Sequence, residues 1–219
     1  MLKSFCMLQQ SCIFIRGKPG AGKTTLAKMI SRELDIDFLD SGLINKTSHE
    51  YKTFCPVNTK NPSKQVKKYS FIFHKAESSI KNNRTVLWCQ PWSRMSEIMV
   101  TLQNFAYYFS NTGIKTWHMS PIELINSIPF PIGVIELVID SKESLDRIKK
   151  RQKTDKVELA RFDRFNIMYQ TLSFPLQQLK IDAKQPLENS VKKSIIFITK
   201  LQKTRPEPGA IETRGAPKI

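Results

Sequence analysis

The sequence predicts an α/β fold of three layers, with a mostly parallel five-stranded sheet between two layers of helices, and three observations lead there. A short apolar run, Cys12-Ile13-Phe14-Ile15, passes through a glycine-rich turn into an amphipathic segment carrying Leu26, Ala27, Met29, Ile30 and Leu34. Apolar runs recur at Phe38-Leu39, Thr85 to Cys89, Gly133 to Asp140 and Ile181-Asp182, with helical periodicity filling the intervals. Strands that alternate with helices build parallel, doubly wound sheets, because each return to the same end of the sheet needs a crossover. At 219 residues and 40% apolar content, the chain is long enough for one such domain with a buried core.

The turn after the first strand is Gly17-Lys18-Pro19-Gly20-Ala21-Gly22-Lys23-Thr24, followed by Thr25. It is a complete Walker A pattern in its strand–loop–helix context, which makes the expected architecture a P-loop NTPase fold. The glycines allow backbone conformations in which successive N–H groups point at phosphate oxygens. The nucleotide-binding set is therefore Gly17, Gly20, Ala21, Gly22, Lys23, Thr24 and Thr25. Lys23 is placed to neutralise the β- and γ-phosphates of a nucleoside triphosphate, and Thr24 to offer its hydroxyl to Mg²⁺. The positive end of the helix that begins near Gly22 adds attraction for the anion.

The second strand, Phe38-Leu39, ends at Asp40-Ser41-Gly42, and loops at strand C-termini face the ligand in this architecture. Residues Asn45 to Ser63 read as a loop. From Lys64 to Lys81, apolar residues return at three- and four-residue steps and predict a helix. The third strand breaks at Gln90-Pro91. Ser93 can cap a helix whose inner face is Ile98, Met99, Leu102, Phe105, Ala106 and Phe109, stopping at Gly113. Ser120-Pro121-Ile122-Glu123 supplies a capping box with proline at the first helical position. A helix is expected through Leu145 to Gln152, another through Phe162, Phe165 and Tyr169, and a closing helix from Leu187 to Leu201. One domain spans 1–203, and residues 204–219, without periodicity, read as a disordered tail.

Thirty-five Lys plus Arg against nineteen Asp plus Glu give a net charge of +16, which concentrates polyanions at the surface. Nucleotide substrates, and weak association with nucleic acid, follow as expected partners. Basic residues cluster at Lys60, Lys64, Lys67 and Lys68 and again at Arg147, Lys149, Lys150, Arg151 and Lys153, without the interleaved aromatic residues that mark base stacking. The four cysteines, Cys6, Cys12, Cys55 and Cys89, form no CxxC pair and read as buried free thiols. His49, His74 and His118 have no metal-ligand spacing. No window approaches the roughly 18 apolar residues of a membrane span, and Gln9-Gln10 interrupts any signal-peptide core, so a cytoplasmic protein without membrane association is expected. The apolar helix from Met95 to Phe109 fits either the core or a homodimer interface.

The chain resembles the nucleoside-monophosphate kinases of the P-loop class, and among them it looks most like thymidylate kinase. Beyond the loop, the resemblance rests on Glu136-Leu137-Val138-Ile139-Asp140, leading through Ser144-Leu145-Asp146-Arg147 to Arg151, Asp155, Glu158, Phe162 and Tyr169, and on Ile181 to Glu188. It implies an ATP- and Mg²⁺-dependent phosphotransferase, with residues 147–158 as a lid that brings Arg147 and Arg151 to the transferring phosphoryl group. The family's acidic residues around the loop, and its Asp-Arg-aromatic motif after the third strand, are replaced here by Arg16, Lys18-Pro19 and Gln90-Pro91-Trp92. Gln90 cannot act as a base. Asp40, as a ligand to an acceptor hydroxyl or to metal-bound water, and Arg94, against an acceptor phosphate, are the residues placed to compensate. Two other readings accompany this one: a nucleotide-binding protein associated with nucleic acid whose kinase chemistry has decayed, and a kinase of another small molecule or of a nucleic-acid 5′ end.

Overall fold

The computed structural model describes residues 10–40, 62–89, 95–109, 118–151 and 175–204. Among them, strands β1 (Ser11–Gly17), β2 (Asp37–Asp40), β3 (Thr85–Cys89), β4 (Ile132–Val138) and β5 (Gln177–Asp182) alternate with helices. The helices are α1 (Lys23–Leu34), α2 (Pro62–Lys81), α3 (Met95–Phe109), α4 (Pro121–Ser127), α5 (Ser141–Arg151) and α6 (Leu187–Lys203). The sheet runs in the order β2-β3-β1-β4-β5, and every pairing is parallel. The expected five strands are all present, and the sheet is wholly rather than mostly parallel.

Alternation along the strands sorts the core into two. Cys12, Phe14, Val86, Trp88, Ile132 and Val134 face one way, against Ile72, Phe73 and Ala76 of α2, Leu102 and Phe105 of α3 and Leu124 of α4. Ile13, Ile15, Leu87, Ile135 and Leu137 face the other way, against Leu26 and Ile30 of α1 and Val191, Ile198 and Leu201 of α6. Both faces of the central strands are therefore dry, as a parallel sheet requires. Phe105 anchors the first core through tilted and edge-on contacts with Phe73, Trp88 and Phe130, so the aromatic stripe of α3 is core. The side chains of Met95–Ile98 lie outside the described residues.

Several boundaries differ from the sequence reading: β4 covers Ile132–Val138 rather than Gly133 to Asp140, and α6 runs on past Leu201 to Lys203. Helix α2 begins at Pro62, taking in Pro62 and Ser63 from the expected loop, and proline suits a first turn whose N–H groups have no helical partner. Helix α5 begins at Ser141 rather than Leu145, because Asp140 caps it: its Oδ1 accepts from Glu143 N at 2.8 Å. Strand β5 begins at Gln177 rather than Ile181, since an edge strand alternates weakly and its Gln177, Lys180 and Asp182 are exposed. The capping box at Ser120 forms as expected, with Glu123 N donating to Ser120 Oγ and Ser120 N donating to the Glu123 carboxylate. The expected loop 45–61, the cap Ser93, the stop at Gly113, the helix through Phe162 to Tyr169 and the tail from 205 onward lie outside the described residues.

Candidate active site

Strand β1 sits at the centre of the sheet, where the chain direction across the sheet reverses, and such a switch point is where open parallel sheets bind ligands. The Walker A loop leaves β1 there. Gly17 passes so close to β4 that a Cβ would lie 2.7 Å from Leu137 O. Gly20 has φ +77, and a Cβ there would lie 2.9 Å from Ser144 O. Both the left-handed backbone and the approach of α5 therefore demand glycine at position 20. Helix α5 grips the outer side of the loop, with Lys18 Nζ donating to Ser141 Oγ at 2.9 Å and Ser144 Oγ donating to Pro19 O at 2.5 Å. Gly22 caps α1, whose first residue is Lys23.

Lys23 Nζ donates to Gly17 O at 2.8 Å and to Lys18 O at 3.0 Å, so its ammonium is held over the loop's own carbonyls. Thr24 Oγ1 donates to Asp40 Oδ2 at 2.7 Å. Asp40 is the last residue of β2 and is buried. It pairs in register with Cys89 of β3, which in turn pairs with Ile15 of β1, so the C-terminal ends of three adjacent strands converge on Thr24. Cys89 Sγ lies 4.0 Å from the Thr24 hydroxyl. Burial pushes the Cys89 thiol up to about 12; the Asp40 carboxylate adds to the rise, while Lys23 and the Thr24 hydrogen bond oppose it. A thiol in that state is a neutral wall of the site rather than a nucleophile.

Two oxygens, one from a hydroxyl and one from a carboxylate, form a hard donor pair at the foot of a phosphate-binding loop. Such a pair fits Mg²⁺, which takes one or two protein oxygens and completes its shell with water and phosphate. Among the described residues no group of three or more His, Cys, Asp and Glu side chains could form a self-sufficient metal cage.

The remaining candidates divide. Arg147 lies beside the loop, its Cβ 3.4 Å from where a Gly20 Cβ would be. Its Nε donates to Glu143 Oε1 at 2.7 Å and its terminal nitrogen to Ala183 O at 3.1 Å, tying α5 to the β5–α6 turn. Arg151 is exposed at the end of α5. Thr25 is exposed on the first turn of α1 and Ala21 is buried beneath the loop. Gln90, Arg94, Asp155 and Glu158 lie outside the described residues. Asp140, at the end of the apolar β4 run, is committed to the α5 cap and to Lys184 Nζ at 2.6 Å. The bond from Glu143 N and the Lys184 ammonium hold its carboxyl below the usual range. Arg16 is explained by register: it lies opposite Glu136 on β4, and the two charged side chains approach to 3.5 Å with 5% and 4% exposure. Gln178 Nε2 donates to the other Glu136 oxygen at 2.5 Å. Sequence reasoning missed the Cys89 wall and the Ser141 and Ser144 clamp. The break after Cys89 was a usable signal, while nothing local distinguishes Ser144 from any helix serine.

The family described as ABC transporter matches residues 3–121, more than half of the chain, from before β1 to the start of α4. The chain belongs to that family. The matched stretch contains the Walker A loop, Thr24 and Asp40, which makes this a nucleotide-binding P-loop protein. Solved structures share the fold nearly end to end. A gluconokinase from Sinorhizobium meliloti is 13% identical with a TM-score of 0.58, covering 90% of this chain and 95% of its own. A candidate kinase from Chloroflexus aurantiacus is 14% identical with a TM-score of 0.61, covering 89% and 99%. A sugar kinase from Janibacter is 13% identical with a TM-score of 0.54, covering 87% and 95%. At such identities the likeness is one of fold. No curated protein matches the sequence. Among the described residues no helix is long and apolar enough to cross a membrane.

Proposed function

We propose that the protein is an ATP-dependent phosphotransferase that delivers the γ-phosphoryl group of ATP to a small-molecule acceptor. The observation that carries this reading is the bond from Thr24 to the buried Asp40 beside Lys23. Lys23, exchanging the Gly17 and Lys18 carbonyls for phosphate oxygens, neutralises the β- and γ-phosphates. Thr24 and Asp40 are the residues that would hold Mg²⁺, which when bound would offset charge on the phosphate oxygens. The backbone N–H groups from Gly20 to Thr24 fix the triphosphate, and Arg147 and Arg151 on α5 supply positive charge from the lid side. Asp40, at the end of β2, is the carboxylate that would compensate for the Gln90-Pro91-Trp92 sequence after β3.

Two acceptors fit. A nucleoside monophosphate, thymidylate in particular, is supported by the likeness of the C-terminal third to thymidylate kinases. A hydroxyl-bearing acceptor such as a sugar is supported by Asp40 itself. A hydroxyl must lose a proton as it attacks and so needs a carboxylate at the transfer point, whereas a phosphate oxygen is already ionised. The fold likeness to a gluconokinase and a sugar kinase accords with this second acceptor.

The test is ATP consumption by the full chain with Mg²⁺ against nucleoside monophosphates, gluconate and simple sugars, with Lys23→Ala as the blank. Consumption that rises with one acceptor and vanishes in Lys23→Ala is expected. No acceptor-stimulated consumption by the unaltered chain, or equal consumption by Lys23→Ala, overturns the reading.

A further inference from the structure

We infer that the outward face of α6 is a docking surface for the phosphodiester backbone of a nucleic acid, separate from the nucleotide site. The inward side of α6 is fully used: Ser190, Val191, Ser194, Ile198, Leu201 and Gln202 are buried against the sheet and α1. The opposite side presents Lys192, Lys193, Lys200 and Lys203, all exposed, around Ile196, which is 59% exposed. At 100° and about 1.5 Å per residue, these five positions fall within one arc and form a ladder roughly 16 Å long. The only acidic side chain of the helix is Glu188 in its first turn, so nothing along the helix neutralises the ladder. Lys193 is steadied by donating to Gln185 Oε1 at 2.8 Å. Helix α1, which flanks α6 on the same face of the sheet, carries exposed Lys28 and Arg32 balanced by exposed Glu33 and Asp35 at its end, so the uncompensated charge lies on α6.

Charge complementarity decides the occupant. The chain carries +16 overall, and four lysines spread over roughly 16 Å of helix span a stretch along which one nucleic-acid strand carries phosphates about every 3.4 Å. A lipid surface fits poorly, because a helix lying on a bilayer must sink a broad apolar side into it, and the apolar side of α6 is already in the core. Ile196 is too little to replace it. The absence of neighbouring exposed aromatic side chains on α6 points to backbone contact without base stacking, hence to binding indifferent to sequence.

The experiment is fluorescence anisotropy of a labelled duplex oligonucleotide with the full chain, titrated from 50 to 200 mM salt. Two triple variants of equal net charge are compared: Lys192→Ala/Lys200→Ala/Lys203→Ala on α6, and Lys149→Ala/Lys150→Ala/Lys180→Ala elsewhere. With three to four phosphate contacts, affinity should fall on the order of a hundredfold across that salt range. The α6 variant should reduce the slope of log affinity against log salt by about 2 to 3, and the other variant should leave it near its original value. Equal losses in both variants would place the binding in diffuse charge and overturn the proposal, as would tighter binding to phosphatidylserine vesicles than to the oligonucleotide. ATP consumption is unaffected by the α6 change if both proposals hold, so failure here and failure of the phosphotransferase reading register in separate assays.

Discussion

Replacing Asp40 by Asn removes one negative charge from the site while keeping the side chain's shape. In the native site the carboxylate accepts the Thr24 hydroxyl at 2.7 Å from a buried position, a charge-assisted bond whose net worth is about 1.5–3 kcal/mol. The amide oxygen of Asn can still accept that hydrogen, so the fold and the loop persist. What disappears is a charge on the metal side of the triphosphate. If the lost charge were worth a similar amount on the metal side and were expressed wholly in the transition state, turnover would fall roughly 10- to 150-fold at 1.4 kcal/mol per decade. Should Asp40 also take a proton from an acceptor hydroxyl, a further 100- to 10,000-fold loss typical of a missing base is expected. The size of the drop thus separates a monophosphate acceptor, near the lower figure, from a hydroxyl acceptor, well beyond it. The assay is steady-state ATP consumption with saturating acceptor, paired with ATP affinity measured without metal. Metal-free ATP should bind Asp40→Asn at least as tightly as the unaltered chain, since a repelling charge is gone. Turnover by Asp40→Asn within threefold of the unaltered chain would refute the role given to this residue.

Three further outcomes follow from the geometry. Gly20→Ala forces a left-handed backbone and a 2.9 Å approach to Ser144 O, and should lower stability by about 1–3 kcal/mol, or roughly 2–12 °C in thermal unfolding, together with ATP affinity; an unchanged melting temperature would contradict the close packing of loop and α5. Glu136→Gln leaves Arg16 charged at a side chain 5% exposed and should cost about 3–5 kcal/mol in urea unfolding, whereas Arg16→Met/Glu136→Leu together should recover most of that loss. The buried thiols of Cys12 and Cys89 are both pushed above 9.0, the second to about 12, so above pH 9 the unfolded chain ionises thiols that the folded chain keeps protonated. Their stabilising contribution is therefore complete below pH 9 and fades as pH rises toward the folded values. Each thiol should lose about 1 kcal/mol of stability between pH 9 and 10, and Cys12→Ala/Cys89→Ala should flatten that decline in urea unfolding.

The parts of this protein legible in its sequence are those whose physics is local. The Walker A spacing, the box from Ser120 to Glu123, and the apolar runs of β1, β3 and β4 each announce themselves within a few residues, although the close approaches that require glycine at 17 and 20 come from Leu137 and Ser144. Strand β5 was read too short because Gln177, Gln178 and Lys180 lie at an edge, where solvent erases the apolar signature. The site was half legible. Lys23 and Thr24 announce themselves by motif, but the bond to Asp40 spans 16 residues and depends on β2 lying beyond β3 rather than beside β1. Arg16 read as a departure from the kinase pattern until strand register set it against Glu136, a partner 120 positions away that no local rule could supply. Cys89 likewise became part of the site only through its register with Asp40 and Ile15.

The central place of β1 also bears on how the molecule is made. Its two neighbours in the sheet are β3, beginning at Thr85, and β4, beginning at Ile132, so β1 waits for partners that leave the ribosome far later. Chains grow at about 5–20 residues per second, and parallel strands cannot satisfy one another through a hairpin. For several seconds Cys12 to Ile15 is thus a fully apolar strand with both edges bare. The phosphate loop, whose glycines are shaped by Leu137 and Ser144, takes form only after β4 and α5 have arrived. The nucleotide site therefore forms late, and until then the helix that follows β1 directly, α1, is the nearest apolar surface against which β1 can be shielded.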